Sequence, residues 1–235
     1  GSGLMVLPGV GEMYVSPRIR LLFALTASLA ITPAVSSLIP AVPGSPLALF
    51  VLIIAESLTG LFIGMTVRIF LSAMHTAGMI ISFQSSLAAA MIFDITQAGQ
   101  SSAIGNLLSL TTLVLLFATD MHHIMLRALF DSYSLFSPGM FPPVQDFANF
   151  TAALVGKTFS IAVQLSTPLI AIGLLVYISA GVLSRLMPTM QVFFVIIPLQ
   201  LLVNFFILMA ILSGLLLWYI SYFEDTLGGF LIPVP

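Results

Sequence analysis

The side chains best suited to chemistry in this chain form one Asp–His–His cluster near its middle. Asp120, His122 and His123 offer a carboxylate and two imidazoles, which are donor groups that hold zinc in proteins. Adjacent helical residues point about 100° apart, so we expect the two histidines not to share one metal, and no HExxH-like spacing occurs. We interpret the cluster as the polar end of a helix and predict no metal site.

Other groups that could support catalysis are sparse. The chain has no cysteine, which excludes thiolate catalysis, disulfides and cysteine-bound metal. The sequence also has no GxSxG motif and no glycine-rich phosphate loop. Lys157 is the single lysine and lies at an expected helix start, so a serine–lysine hydrolase within the membrane is a minor alternative. The residues therefore give no positive signal for an enzyme active site, and we expect no bound cofactor.

The composition indicates a membrane protein. Hydrophobic residues make up 60% of the 235 positions and charged residues only 6%, whereas soluble domains carry about a quarter charged residues. The formal net charge of −2 offers no electrostatic surface for nucleic acid, so we expect lipid rather than nucleic acid as a partner. Since a spanning helix needs about 20 apolar residues, the chain has room for roughly five to seven helical elements.

The long apolar segments are interrupted near their middles. Pro33, Pro168 and Pro198 lie inside such segments, and Glu56 interrupts another. Irregular backbone survives away from water only where protein or a hydrated cavity covers it. Residues 186–223 would span roughly 57 Å as one straight helix, so this segment either breaks near Pro198 or extends beyond a bilayer core of about 30 Å.

A row of small and polar residues follows the second apolar segment. Glu56, Gly60 and Gly64 recur every four positions, so neighbours in the row share a helix face. The two glycines would let another backbone approach closely, which favours a helix-packing ridge. An ion site at Glu56 is the alternative, because a charged residue in mid-helix costs on the order of 3 kcal/mol and must face protein or water.

Local turn residues outline the elements. Pro8 and Gly9 should end a first apolar element, and Ser16 with Pro17 should cap and start a helix. Clustered prolines and glycines near 137–147 indicate a break between helical regions.

We predict an all-α fold in a single domain over residues 1–235, built from membrane-associated helical hairpins with Pro- and Gly-broken helices. Its parts are an N-terminal hairpin region at 1–136, a connecting loop at 137–150 and long C-terminal helices at 151–235.

Three short motifs occur in order along most of the chain. They comprise, from the N-terminus onward, Pro8, Gly9, Gly11, Glu12, Arg18, Arg20 and Pro33; then Gly78, Gln84 and Asp94; then Arg185, Pro188, Phe193 and Pro198. Together they resemble the FliR family of type III export gate proteins. The family usually has Gln at the position of Thr189 and a Gly-Leu pair at Ser86-Leu87. It also begins with another apolar helix, which we expect to be missing here.

The resemblance implies a non-enzymatic subunit of a helical, oligomeric export gate. FliP and FliQ homologues would be its neighbours, and FlhB and FlhA homologues would complete the channel for unfolded flagellar or virulence substrates. The Pro-Gly-x-Gly-Glu form at residues 8–12 is more similar to the flagellar members. The implied location is the flagellar basal body in the bacterial inner membrane.

The resemblance also aligns residues 85–101 with the loop that closes the export pore in this family. Leu87, Met91, Ile92 and Phe93 would form its apolar part. Flexible methionine suits a seal that re-forms around different substrates. An ordinary buried turn is the alternative for this segment.

A different class of function also fits the residues. Broken helices around Glu56 could form a polar site at the membrane midplane of a secondary transporter or channel. That alternative predicts that an isolated chain transports a solute, whereas a gate subunit needs its partners.

Overall fold

The computed structural model describes most of the chain as helix. The structure describes residues 1–12, 14–37, 39, 43–85, 102–136, 138–139, 141–187 and 192–231. At 192–195 and 227–231 it describes the backbone but not the side chains. Within these ranges there are helices and no strand, so the predicted all-α class is confirmed. The helices are α1 (Ser2–Val6), α2 (Pro17–Val35), α3 (Pro46–Gln84), α4 (Ala103–Ala118), α5 (His122–Leu135), α6 (Val144–Leu186) and α7 (Val192–Leu231).

The start of α2 follows from local chemistry. The hydroxyl oxygen of Ser16 accepts a hydrogen bond from the backbone N–H of Ile19 at 3.4 Å, and Pro17 occupies the first turn. This bond satisfies one of the N–H groups that a helix start leaves unpaired. The predicted cap is confirmed, and α2 ends at Val35, shortly after the internal Pro33.

Two other prolines do not end their helices. Pro168 lies inside α6 and Pro198 inside α7, and both helices continue. Of the two alternatives for the long C-terminal segment, a break near Pro198 is therefore not found. A proline removes one backbone hydrogen bond, whereas ending a helix within an apolar segment would leave many more groups unpaired.

Helix α6 begins earlier than expected. The predicted connecting loop covered 137–150, but α6 starts at Val144, so this boundary of the prediction is wrong. Pro143 directly precedes the helix, and its carbonyl oxygen accepts a bond from the N–H of Phe147 at 3.0 Å. Asp146 in the first turn favours this start through the helix dipole.

Several helices are long and apolar enough to cross a membrane. Four candidates occur among the described residues: α2, α3, α6 and the part of α7 over Ile196–Thr226. Helices α4 and α5 meet at a bend of 76° and together form a possible fifth span. Only 11% to 33% of the most apolar window in each of the four is buried within the chain. Most of their apolar surface is thus left for lipid or other subunits.

The chain divides into two compact units. The first contains Gly1–Leu71, Leu113–Gly156 and Tyr222–Pro235, and the second contains Ser72–Thr112 and Lys157–Ser221. The first unit buries Phe70 against Phe223, with ring centroids 5.4 Å apart.

The second unit has its own apolar core. Met74, Ala77, Leu108, Leu169 and Tyr219 are all buried there. The proposal of one domain over the whole chain stays a prediction.

Candidate functional site

A buried serine pair joins the two helices that flank residues 86–101. The hydroxyl oxygens of Ser82 on α3 and Ser102 before α4 lie 2.6 Å apart. Ser102 Oγ also lies 3.2 Å from the carbonyl oxygen of Gly78, to which it donates, and accepts the N–H of Gly105 at 2.9 Å. Ser102 is thus both the N-cap of α4 and a bridge to α3.

The same two helices approach closely at a pair of glycines. A Cβ atom on Gly78 would lie 2.5 Å from the backbone nitrogen of Gly105 and 2.8 Å from the carbonyl carbon of Ile104. A Cβ on Gly105 would lie 3.0 Å from the carbonyl oxygen of His75. Since backbone atoms have little freedom to move aside, this crossing requires glycine at both positions.

The C-terminal end of α3 is held by two further helices. Gln200 on α7 is buried, and its Nε2 donates a hydrogen bond to the backbone oxygen of Gln84 at 2.5 Å. The Gln84 side chain packs on Gly173 of α6, where a Cβ would lie 2.7 Å from Gln84 Cδ. Gln84, a residue of the central motif, is therefore enclosed from both sides.

One turn beyond Gln200 lies a buried amide without a partner. Asn204 is 3% exposed, and neither polar atom of its side chain has a hydrogen-bond partner in the described part of the chain. It faces a small cleft next to Ser85, Ile81 and Leu208. An unsatisfied buried amide is costly, so this position is either destabilising or reserved for another group.

Several predicted site residues lie outside the described residues. They are Leu87, Met91, Ile92 and Phe93 of the predicted seal, and Asp94 and Pro188 of the family motifs. Phe193 lies in α7, but its side chain is outside the description. The pore-closing role of residues 85–101 stays a prediction.

In the first unit, α1 lies on the glycine row of α3. Ser2 Oγ donates to the backbone oxygen of Ser57 at 3.0 Å. A Cβ on Gly60 would lie 3.0 Å from the nitrogen of Gly3, and one on Gly64 would lie 2.8 Å from the oxygen of Gly3. The structure therefore brings a second backbone to both glycines of the predicted ridge.

The N-terminal motif forms a tight turn after α1. Gly9 has a φ of +87°, and a Cβ there would lie 2.5 Å from the ring of Phe117. A Cβ on Gly11 would lie 2.9 Å from the oxygen of Val6, and the Gly11 oxygen accepts a hydrogen bond from Arg68 Nη1 at 3.4 Å. Both glycines are thus required by geometry rather than by flexibility.

The motif arginines have different surroundings. Arg20 Nη2 donates to the backbone oxygens of Glu12 at 2.8 Å and Val15 at 3.2 Å, which ties the turn to α2. Arg18 and Arg185 are exposed. The structure therefore gives Arg20 a structural role and leaves the other two guanidinium groups open to solvent, lipid head groups or partners.

Glu56 lines a cavity of the first unit. The cavity has a volume of about 650 Å³, and Ser57, Tyr133, Leu52 and Phe141 also line it. A glutamate beside a cavity has access to water, as a charged residue within an apolar helix requires. Glu56 belongs to the first unit, and the serine and glutamine contacts belong to the second.

The three side chains of the Asp–His–His cluster lie close together in the structure. One ligand atom from each of Asp120, His122 and His123 lies within 4.8 Å of the others, and the two imidazole centroids are 4.1 Å apart. The expectation that these two histidines do not share one metal stays a prediction, although their rings lie side by side. Both residues lie in the first turn of α5, directly after the turn that ends α4.

Sequence comparison decides the family. The family described as "Bacterial export proteins, family 1" matches residues 1–226. The chain belongs to this family. Relatives over most of the chain carry the name FliR, so the resemblance stated from the motifs is confirmed.

Named members of bacterial export protein family 1 are similar to this chain over most of its length. The flagellar biosynthetic protein FliR of Caulobacter vibrioides is 35% identical over 98% of this chain and 92% of its own length. FliR of Bacillus subtilis is 30% identical over 73% of this chain and 68% of its own length. The Yop proteins translocation protein T of Yersinia pestis is 28% identical over 74% of this chain and 67% of its own length.

Proposed function

We propose that this chain is a non-enzymatic subunit of the type III protein export gate and acts in flagellar export at the bacterial inner membrane. The observation that carries this proposal is the alignment with FliR of Caulobacter vibrioides over 98% of the chain. The flagellar assignment rests on FliR of Caulobacter vibrioides and of Bacillus subtilis, which are 35% and 30% identical to this chain, whereas the Yop translocation protein is 28% identical. Other FliR relatives, at 25% to 28%, are no more identical to this chain than the Yop protein is.

Unpartnered apolar helix faces support a role inside a larger complex. Leu29 on α2 is 76% exposed, and Phe206 and Met209 on α7 are 70% and 73% exposed. We infer that FliP and FliQ homologues cover part of this surface, that lipid covers the rest, and that FlhB and FlhA homologues join the assembly. Unfolded flagellar proteins would be the transported substrates.

We infer further that residues 85–101 close the export channel. The Ser82–Ser102 hydrogen bond and the Gly78–Gly105 crossing fix the two ends from which this segment departs. Rigid ends would let the segment deform and return to the same place after a substrate has passed. Leu87, Met91, Ile92 and Phe93 would supply the apolar seal.

Purification of the intact membrane complex tests the subunit role. An affinity tag on this chain should recover FliP and FliQ homologues, identified by mass spectrometry, and deletion of the gene should abolish flagellar filaments. Recovery of the chain alone from gently solubilised membranes, with filaments unaffected by the deletion, would contradict the proposal.

Membrane leakage tests the seal separately. The double variant Met91→Gly/Phe93→Gly should let small solutes leak across the membrane, while the complex still assembles. The matched control is Met140→Gly/Phe141→Gly, which changes the same two residue types outside 85–101. A membrane without leakage in both variants, with the complex intact, would contradict the sealing role of residues 85–101 without contradicting the subunit role.

The transporter alternative keeps one supporting observation, the cavity of about 650 Å³ beside Glu56. It requires that the purified chain, reconstituted alone into vesicles, takes up a solute and that Glu56→Gln abolishes uptake. The gate proposal expects no uptake by the isolated chain and flagellar export by the Glu56→Gln variant.

A further inference from the structure

We propose that Asp120, His122 and His123 form a binding site for a divalent transition-metal ion, with zinc as the ion that fits best. The site lies in the first unit, at the turn between α4 and α5. Its ligand atoms lie within 4.8 Å of one another. Two imidazoles and one carboxylate form a ligand set that zinc commonly takes.

The turn itself places the carboxylate. Helix α4 ends in a Schellman motif, in which the N–H of Met121 bonds the oxygen of Leu116 at 3.0 Å and the N–H of Asp120 bonds that of Phe117 at 3.3 Å. Asp120 takes the left-handed position with a φ of +59°, where glycine is the usual residue. The motif thereby holds the Asp120 carboxylate beside the first turn of α5.

The two imidazoles are held next to that carboxylate. The His122 ring stacks on Phe117, with centroids 5.1 Å apart. His123 Nδ1 lies 3.9 Å from Asp120 Oδ1 and 3.2 Å from the Asp120 backbone oxygen. Phe117 packs against one ring and the Asp120 backbone oxygen contacts the other, so the three side chains already lie close together before an ion binds.

One nitrogen of the cluster has a need that an ion would meet. His122 Nδ1 is buried and has no hydrogen-bond partner among the residues that the structure describes. Buried polar atoms in proteins are nearly always paired with a protein group, a water or an ion. An ion bound by the cluster would either take this nitrogen as a ligand or hold the ring in an orientation in which the nitrogen can bond to another group.

The spacing allows zinc after small side-chain rotations. Tetrahedral zinc with ligands at about 2.0–2.1 Å needs ligand atoms about 3.4 Å apart. The side chains of Asp120 and His123 are 78% and 69% exposed, so both can rotate without disturbing a core. Three protein ligands leave the fourth position to water or to a group from a partner subunit. A bound ion would fix the 76° bend between α4 and α5.

Metal titration of the intact complex tests the site. The complex is purified without a polyhistidine tag, stripped with a chelator and titrated with Zn²⁺, and bound metal is measured by mass spectrometry and calorimetry. We expect one ion per copy of this chain. His122→Ala and His123→Ala should each weaken binding by at least about tenfold. The matched control is His75→Gln, because His75 is the remaining histidine of the three and lies outside the cluster.

A second variant guards against loss of folding. His123→Cys should keep binding, because a thiolate can replace an imidazole, and with Co²⁺ it should add a sulfur-to-cobalt absorption band. The chain has no other cysteine, so a band that is absent from the wild-type complex would belong to this position. Equal binding by wild type, His122→Ala and His123→Ala would overturn the proposal. Binding only at millimolar zinc, or no cobalt band in a folded His123→Cys complex, would also overturn it.

Discussion

Ser82 and Ser102 lie twenty positions apart in the chain, yet their buried hydroxyl oxygens are 2.6 Å from each other. Because Ser102 Oγ donates to the oxygen of Gly78, Ser82 must be the donor within the pair. Ser102 therefore uses its hydrogen atom for α3 and its lone pairs for Ser82 and the N–H of Gly105. One hydroxyl thus joins the end of one helix to the start of the next.

Removal of the Ser102 hydroxyl should weaken the contact between α3 and α4 next to residues 85–101. Ser102→Ala loses a helix cap and a buried bridge, and the cap alone is worth about 1 kcal/mol. We expect a lower unfolding temperature of the purified complex and some solute leakage. Ser179→Ala is the matched control, because the Ser179 hydroxyl is exposed and bonds only the backbone of its own helix. Equal stability of the two variants would show that the bridge contributes nothing.

Local signals in the sequence predict where helices start but not how they cross. The Ser16–Pro17 start was predictable because capping depends on neighbouring residues only. Ser102 stands directly before the apolar segment that becomes α4, and the same capping rule identifies it. The pairing of Ser102 with Ser82 was not predictable, since it depends on how α3 and α4 cross.

Other features could not be predicted from neighbouring residues alone. Pro198 suggested a break, but the cost of unpaired backbone in an apolar segment outweighs the local effect of proline. The rings of His122 and His123 lie 4.1 Å apart between centroids, which the sequence could not show, since the 100° spacing of adjacent helical residues describes Cβ directions and not the positions of the rings. The contacts of Gly78 and Gly105 depend on tertiary packing, so the sequence could mark Gly78 only through family resemblance.

The Gly78–Gly105 crossing should not tolerate a methyl group. Gly78→Ala would place Cβ 2.5 Å from the nitrogen of Gly105, so α3 and α4 must separate. We expect reduced assembly of the complex and loss of flagellar export. Gly181→Ala is the control, because a Cβ there has no atom within 4 Å and alanine favours a helix by about 1 kcal/mol. Normal export by the Gly78→Ala variant would contradict the claim that the close contact of α3 and α4 requires glycine at this position.

The ridge on α3 gives a parallel prediction in the first unit. Gly64→Ala would bring Cβ to 2.8 Å from the oxygen of Gly3 and should displace α1. Greater protease sensitivity of the N-terminal segment in the purified complex would report this displacement. Gly156→Ala belongs to the same unit and has open space around its Cβ, so it should leave the cleavage rate unchanged. If both variants are cleaved at the wild-type rate, α1 does not depend on the ridge.

Two amides on α7 should respond oppositely to the same substitution. Gln200→Leu removes the donor to the oxygen of Gln84 and leaves that part-buried oxygen without this bond, so we expect a loss of about 1–3 kcal/mol. Asn204→Leu removes two buried polar atoms that have no partner among the described residues, so the complex should keep or gain stability. Thermal unfolding of both variants beside wild type measures the difference. If Asn204→Leu instead destabilises the complex as much as Gln200→Leu does, the Asn204 amide must bond a group beyond the described residues, and residues 86–101 or a partner subunit would be the first to test.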